Sequence, residues 1–118
     1  MADSTAAALV VSVDGTITDL PLPAENGARL DALRKAIGCD LVDVVRLTTQ
    51  LDMWVDDDGM FTQRPNVVAT LVARRFGMVW QNYHGTVVFA GFTRDGETVG
   101  LSRDHMYGLL TALVDSLT

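Results

Sequence analysis

The sequence predicts an α+β fold, a single domain in which a mainly antiparallel sheet of hairpins carries about three helices. Three observations lead there. Apolar, β-branched runs come in neighbouring pairs divided by short turns such as Asp14-Gly15 and Arg94-Asp95-Gly96. Three other stretches space their apolar residues as a helix does, between recognisable start and stop residues. The chain's 118 residues, 48% of them apolar and 20% charged, suffice for one core and leave no room for a second. The domain is assigned to residues 1–118, with residues 1–7 expected to form a disordered lead.

Ala8 to Val13 is an apolar, Val-rich strand that stops at Asp14-Gly15, and Thr16 to Leu20 returns beside it until Pro21 and Pro23 close it. Asn26 is placed as the cap of a first helix, with Leu30, Leu33 and Ile37 on one face and Arg29, Arg34 and Lys35 outside it. Gly38 ends that helix. Leu41 to Leu47 and Leu51 to Val55 read as neighbouring strands; in the second, Leu51, Met53 and Val55 share a face and Trp54 takes the other. Asp57-Asp58-Gly59 forms a turn, and Met60 to Gln63 is expected to be a short returning strand. Pro65-Asn66 opens a second helix with Val68, Leu71 and Val72 inward, Arg74-Arg75 in its last turn and Gly77 as its stop. Thr86 to Phe92 is a strong strand, paired through the Gly96 turn with Thr98 to Leu101. Ser102 caps a last helix with an expected inner stripe of Met106, Leu110, Leu113, Val114 and Leu117. All helices are expected on one side of the sheet.

Charge and composition narrow the function. The net charge of -6 disfavours direct binding to nucleic acid, whose affinity comes mainly from Lys and Arg on phosphates. The longest apolar runs fall far short of the roughly 20 residues of a membrane helix. No basic, signal-like start is seen, so the chain is expected in the cytoplasm, where the lone Cys39 stays reduced. Eight of the nine basic residues are Arg, which suits a high-GC genome such as that of an actinobacterium or its phage.

The order of these parts resembles the domain-of-unknown-function family 3846, found in Gram-positive bacteria, their phages and plasmids. The resemblance rests on the opening strand with Asp14-Gly15, the helix with Leu30, Leu33 and Gly38, and the strand Leu51 to Asp56 with its Gly59 turn. It continues through Pro65-Asn66 with Ala69, similar to the family's Pro-Asn-Arg-x-Ala helix start, then Gly85 to Gly91 and the Leu101-Ser102-Arg103-Asp104 start of the last helix. Val67 stands where the family often has Arg, so no role of that Arg carries over. The resemblance implies a fold and a phage or mobile-element setting, and it brings no activity.

No residue pattern of an established chemistry is present. Asp52, Asp56, Asp57 and Asp58 lack the ligand spacing of a calcium loop, and Gly85, Gly91, Gly96 and Gly100 do not form a phosphate cradle ahead of a helix. Nothing brings Cys39, His84 and His105 together as a nucleophile and base. Catalytic, metal and cofactor sites are assigned as none, and an enzyme is disfavoured. The segment Trp80, Gln81, Asn82, Tyr83, His84 stands out because rings supply contact area and amides supply direction at binding surfaces. The candidate binding residues are therefore Trp80, Asn82, Tyr83 and His84, joined by Asn66 and Trp54, with the Asp56 turn as a neighbour.

These residues point to a small accessory protein that binds a protein partner or a second copy of itself, a homodimer being expected through a sheet face or edge strand. Two alternatives use the same chain differently. One is a small-molecule or nucleotide pocket near residues 80–86. The other is an acidic mimic of DNA, for which 15 carboxylates in 118 residues are sparse.

Overall fold

Five strands follow one another in the order Ile17–Pro21 (β2), Ala7–Val11 (β1), Val87–Phe92 (β5), Leu51–Asp56 (β4) and Val42–Arg46 (β3), every neighbouring pair antiparallel, and a sixth, Thr98–Val99 (β6), pairs with β5. The computed structural model describes residues 7–117. In chain order the elements are β1 (Ala7–Val11), β2 (Ile17–Pro21), α1 (Asn26–Ile37), β3 (Val42–Arg46), β4 (Leu51–Asp56), α2 (Gly59–Thr62), α3 (Val67–Arg75), β5 (Val87–Phe92), β6 (Thr98–Val99) and α4 (Arg103–Leu117). The expected lead of residues 1–7 falls outside the described residues except for Ala7, which already belongs to β1 and pairs with Pro21. The hairpins β1–β2, β3–β4 and β5–β6 are those predicted, and Gly15 takes the positive φ of 88° that its turn needs.

Helices cover both faces of the sheet, which corrects the one-sided arrangement expected from sequence. Leu9, Val11, Met53, Val87 and Phe89 pack under α3 and α4, against Ala69, Val72, Ala73, Leu109, Ala112 and Leu113. The alternate residues Ala8, Val88 and Ala90 turn to the other face, where Leu33 and Ile37 of α1 close over them. The physical reason lies in β5, whose unbroken apolar run has no polar face to give to water. Small Ala8 and Ala90 on the α1 side leave room for the large Leu33.

Three local expectations change as well. Met60 to Gln63 is not a strand: α2 is one helical turn, with Gln63 N–H donating to the Gly59 carbonyl at 2.9 Å. A returning strand had no edge to join, because β4 is already paired with β3 on one side and β5 on the other. Glu25, not Asn26, holds the N-cap position of α1, and it caps with no side-chain bond. Arg29 fixes that helix start instead, its guanidinium donating to the carbonyls of Pro23 (2.7 Å), Ala24 (2.6 Å) and Thr98 (2.8 Å). In α4, Ser102 caps as expected by accepting the His105 N–H at 3.1 Å, but the inner stripe is Met106, Leu109, Ala112 and Leu113. Leu110 and Val114 are exposed, and the side chain of Leu117 lies outside the described residues.

Candidate functional site

The end of the sheet where β4 stops and β5 begins is built by two short segments held side by side. Pro65 bridges His84, Gly85 N–H donates to the Arg64 carbonyl (2.9 Å), and Asn66 N–H donates to the Tyr83 carbonyl (2.8 Å). The His84 ring Nδ1 lies 3.1 Å from the Gln63 carbonyl. Gly59 at the start of α2 packs against the His84 backbone from the other side. These contacts fix residues 83–85 and leave residues 79–82 projecting.

Asn66 organises this corner from inside. It is fully buried, and its Nδ2 donates to the carbonyls of Val11 (3.1 Å) and Gly85 (2.9 Å) while its Oδ1 accepts the Ala69 N–H at 3.0 Å as the N-cap of α3. Thr70 continues the network: its hydroxyl donates to the Asn66 carbonyl at 2.9 Å and accepts the Tyr83 N–H at 2.8 Å. With these partners Asn66 is a fully buried bracket between β1, β5 and α3. Tyr83 is 4% exposed and joins the core beneath α3 and α4. Burial pushes its phenol pKa up, with a hydrogen bond to the Gln81 side chain opposing.

Trp80 is 71% exposed and Val79 beside it 62%. Asn82 is exposed too, its Oδ1 accepting from Arg74 at 3.2 Å. Met60, Asn82, Tyr83 and His84 line a cleft of about 90 Å³ together with Gln81 and the carboxylates of Asp43, Asp56 and Asp57. Asp56 also holds its own turn, accepting the Asp58 N–H at 2.9 Å. The expected closeness of the Asp56 turn to residues 81–84 is thus present in the structure. Trp54 lies elsewhere, half-buried on the α1 face among Leu33, Val42 and Cys39. Its parity was legible, and that parity is what separates it from Trp80.

Sequence reasoning missed Asp43, Met60 and the exposed Phe61 as neighbours of this corner. Asp43 was hidden in an apolar strand, although its pairing with Val55 puts it at the mouth of the cleft. Met60 and Phe61 were placed in a strand, where their outward direction from a helical turn could not be read.

Among the described residues no three His, Cys, Asp or Glu side chains stand together as metal ligands. Cys39 lies on the α1 side, and burial, with the nearby Asp56 carboxylate, pushes its thiol up to about 11. At neutral pH it carries its proton and is a poor nucleophile. No described helix is long and apolar enough to cross a membrane. The arrangement offers a projecting ring, a few amides and a small acidic recess.

The fold and this corner define an antiparallel α+β domain with helices on both faces and one polar-aromatic end. Residues 6–114 match the sequence profile of the family described as domain of unknown function (DUF3846), and the chain belongs to that family. No curated protein and no solved structure matches it.

Proposed function

We propose that this domain is a binding module for another protein, and that the partner meets the corner formed by α2 and residues 79–84. One observation carries the reading: Trp80 is held 71% exposed three residues before Tyr83, which is locked in the core. A large ring on an anchored segment loses little freedom on binding, which is the property of an interface anchor. Met60, 58% exposed, adds apolar area beside the cleft, and the carboxylates of Asp43, Asp56 and Asp57 suit a partner that brings a Lys or Arg to it. An accessory role in a phage or other mobile element of Gram-positive bacteria, in the cytoplasm where the lone Cys39 stays reduced, is part of this reading.

The size of the cleft argues against the small-molecule alternative. At about 90 Å³ it is well below the roughly 300 Å³ at which ligand pockets begin. Its three carboxylates also repel the phosphates of a nucleotide.

The experiment is affinity capture from cells that carry the gene, using the chain, Trp80→Ala and Asp56→Asn. A protein recovered by the native chain and lost from both variants, with their melting unchanged, supports the reading. Equal recovery by all three, or recovery of nothing above background, overturns it.

A further inference from the structure

Helix α4 has a second apolar face. Met106, Leu109, Ala112 and Leu113 point into the core, while Tyr107, Leu110 and Val114 point outward with 76%, 43% and 61% of their surface exposed. Their spacing of three and four residues places them in one stripe along the helix. The stripe borders a groove of about 390 Å³ lined by Asp19, Leu101, Arg103, Met106, Tyr107 and Leu110. Across the groove stands β2, one of the two end strands of the β2-β1-β5-β4-β3 order, where alternation turns Ile17 and Asp19 to the face that α3 and α4 cover. Neither helix reaches far enough to bury Ile17, which stays 41% exposed.

The charges of this groove are matched but unpaired. Asp19 and Arg103 both line it, and among the described residues neither takes part in an ion pair. On a chain of net charge -6, most of the surface repels a second copy, whereas here one carboxylate and one guanidinium cancel. A two-fold axis brings each contact twice, so Asp19 of one protomer meets the partner's Arg103 and Arg103 meets the partner's Asp19. We propose that the α4–β2 groove is the contact between two copies of this chain, with Tyr107, Leu110 and Val114 buried against the partner and two reciprocal Asp19–Arg103 pairs fixing the register. Packing of α4 carries the contact rather than extension of the sheet: β2 is only five residues long and ends at Pro21, which blunts its outer edge. The proposal goes beyond the partner surface at Trp80 and uses none of its residues.

Sedimentation equilibrium of the native chain, Asp19→Arg, Arg103→Asp, the double exchange and Tyr107→Ala tests it, with circular dichroism to show that each is folded. The native chain is expected to dimerise. Each single exchange places like charges opposite one another and weakens the dimer by about tenfold or more, while the double exchange restores it to within about threefold. Tyr107→Ala weakens it and Trp80→Ala leaves it unchanged, which separates this contact from the corner proposed above. A native chain that stays monomeric, or a dimer indifferent to both single exchanges, overturns the proposal.

Discussion

The α-carbon of Gly59 faces the carbonyl oxygen of His84 so closely that a methyl group added there would lie 2.8 Å from it. Both partners of that contact are backbone, so neither can swing aside. Gly59→Ala is expected to lower stability by about 2 kcal/mol as α2 is pushed off residues 83–85. Gly108 makes the opposite case: it sits inside α4 with nothing near an added methyl, and Gly108→Ala should stabilise by about 0.5 to 1 kcal/mol. Urea denaturation of the two variants checks the contrast, and a common sign for both would refute it.

Asn66→Ala removes a helix cap and leaves the carbonyls of Val11 and Gly85 without their shared donor. The expected loss is about 3 kcal/mol. Asn66→Asp keeps the cap acceptor but aims a buried carboxylate at two carbonyl oxygens, so it should be at least as destabilising although Asp is a good cap elsewhere. An Asp variant more stable than the Ala variant at neutral pH would show that capping outweighs the bracket.

Tyr83 and Trp80 are three residues apart and should behave oppositely. Tyr83→Ala opens a cavity beneath α3 and α4 and is expected to cost about 3 to 5 kcal/mol. Trp80→Ala leaves only solvent behind and should change stability by less than about 0.5 kcal/mol. Thermal melting of both variants gives the answer; a large loss in Trp80→Ala would move that ring into the core and remove it from the binding surface.

Two carboxylates pull the acid limb of stability in opposite directions. The Ser12 hydroxyl and then the Thr16 backbone N–H hold Asp14 down to about 2, so its contribution is present above the ordinary value of 3.8 and is lost as pH falls through about 2. Asp52, 3% exposed, is pushed the other way by burial, with Arg46 at 3.2 Å opposing only in part. Its native form takes up a proton more readily than its unfolded form, so stability from this group rises as pH falls through its native value toward 3.8. Unfolding free energies measured between about pH 7 and pH 3 should therefore fall more steeply toward acid in Asp52→Asn than in the native chain, and less steeply in Asp14→Asn. The same direction of change in both variants would contradict this account.

The three hairpins and three of the helices were legible because each is set locally: Asp14-Gly15, Gly38 and Asn66 act within a few residues of themselves. The second helical layer was not legible: the sequence reading puts all helices on one side of the sheet, whereas α1 lies on the face opposite α3 and α4. Val87 to Phe92 shows no alternation, which is the mark of a strand buried on both sides, but apolarity alone does not say which helix lies on which face. In the corner, the segment 80–84 was visible by composition, whereas the division of labour within it was not. Tyr83 goes inward because Thr70 and Asn66 hold its backbone from another part of the chain, and no local pattern reports such partners. Asn66 was legible as a helix start and a binding candidate, but its two bonds to Val11 and Gly85 span 55 and 19 residues.

The place of β5 between β1 and β4 also governs how the protein is made. Synthesis releases β1–β2 and β3–β4 first, as two hairpins that in the finished sheet do not pair with each other and are joined through β5. Until Val87 to Phe92 has emerged, the inner edges of both hairpins stand open and α1 has only half of its apolar floor. Between the completion of β4 at Asp56 and the emergence of β5 at Val87–Phe92 the nascent chain therefore carries two unfinished edges, and that one short segment converts them at once into a continuous sheet.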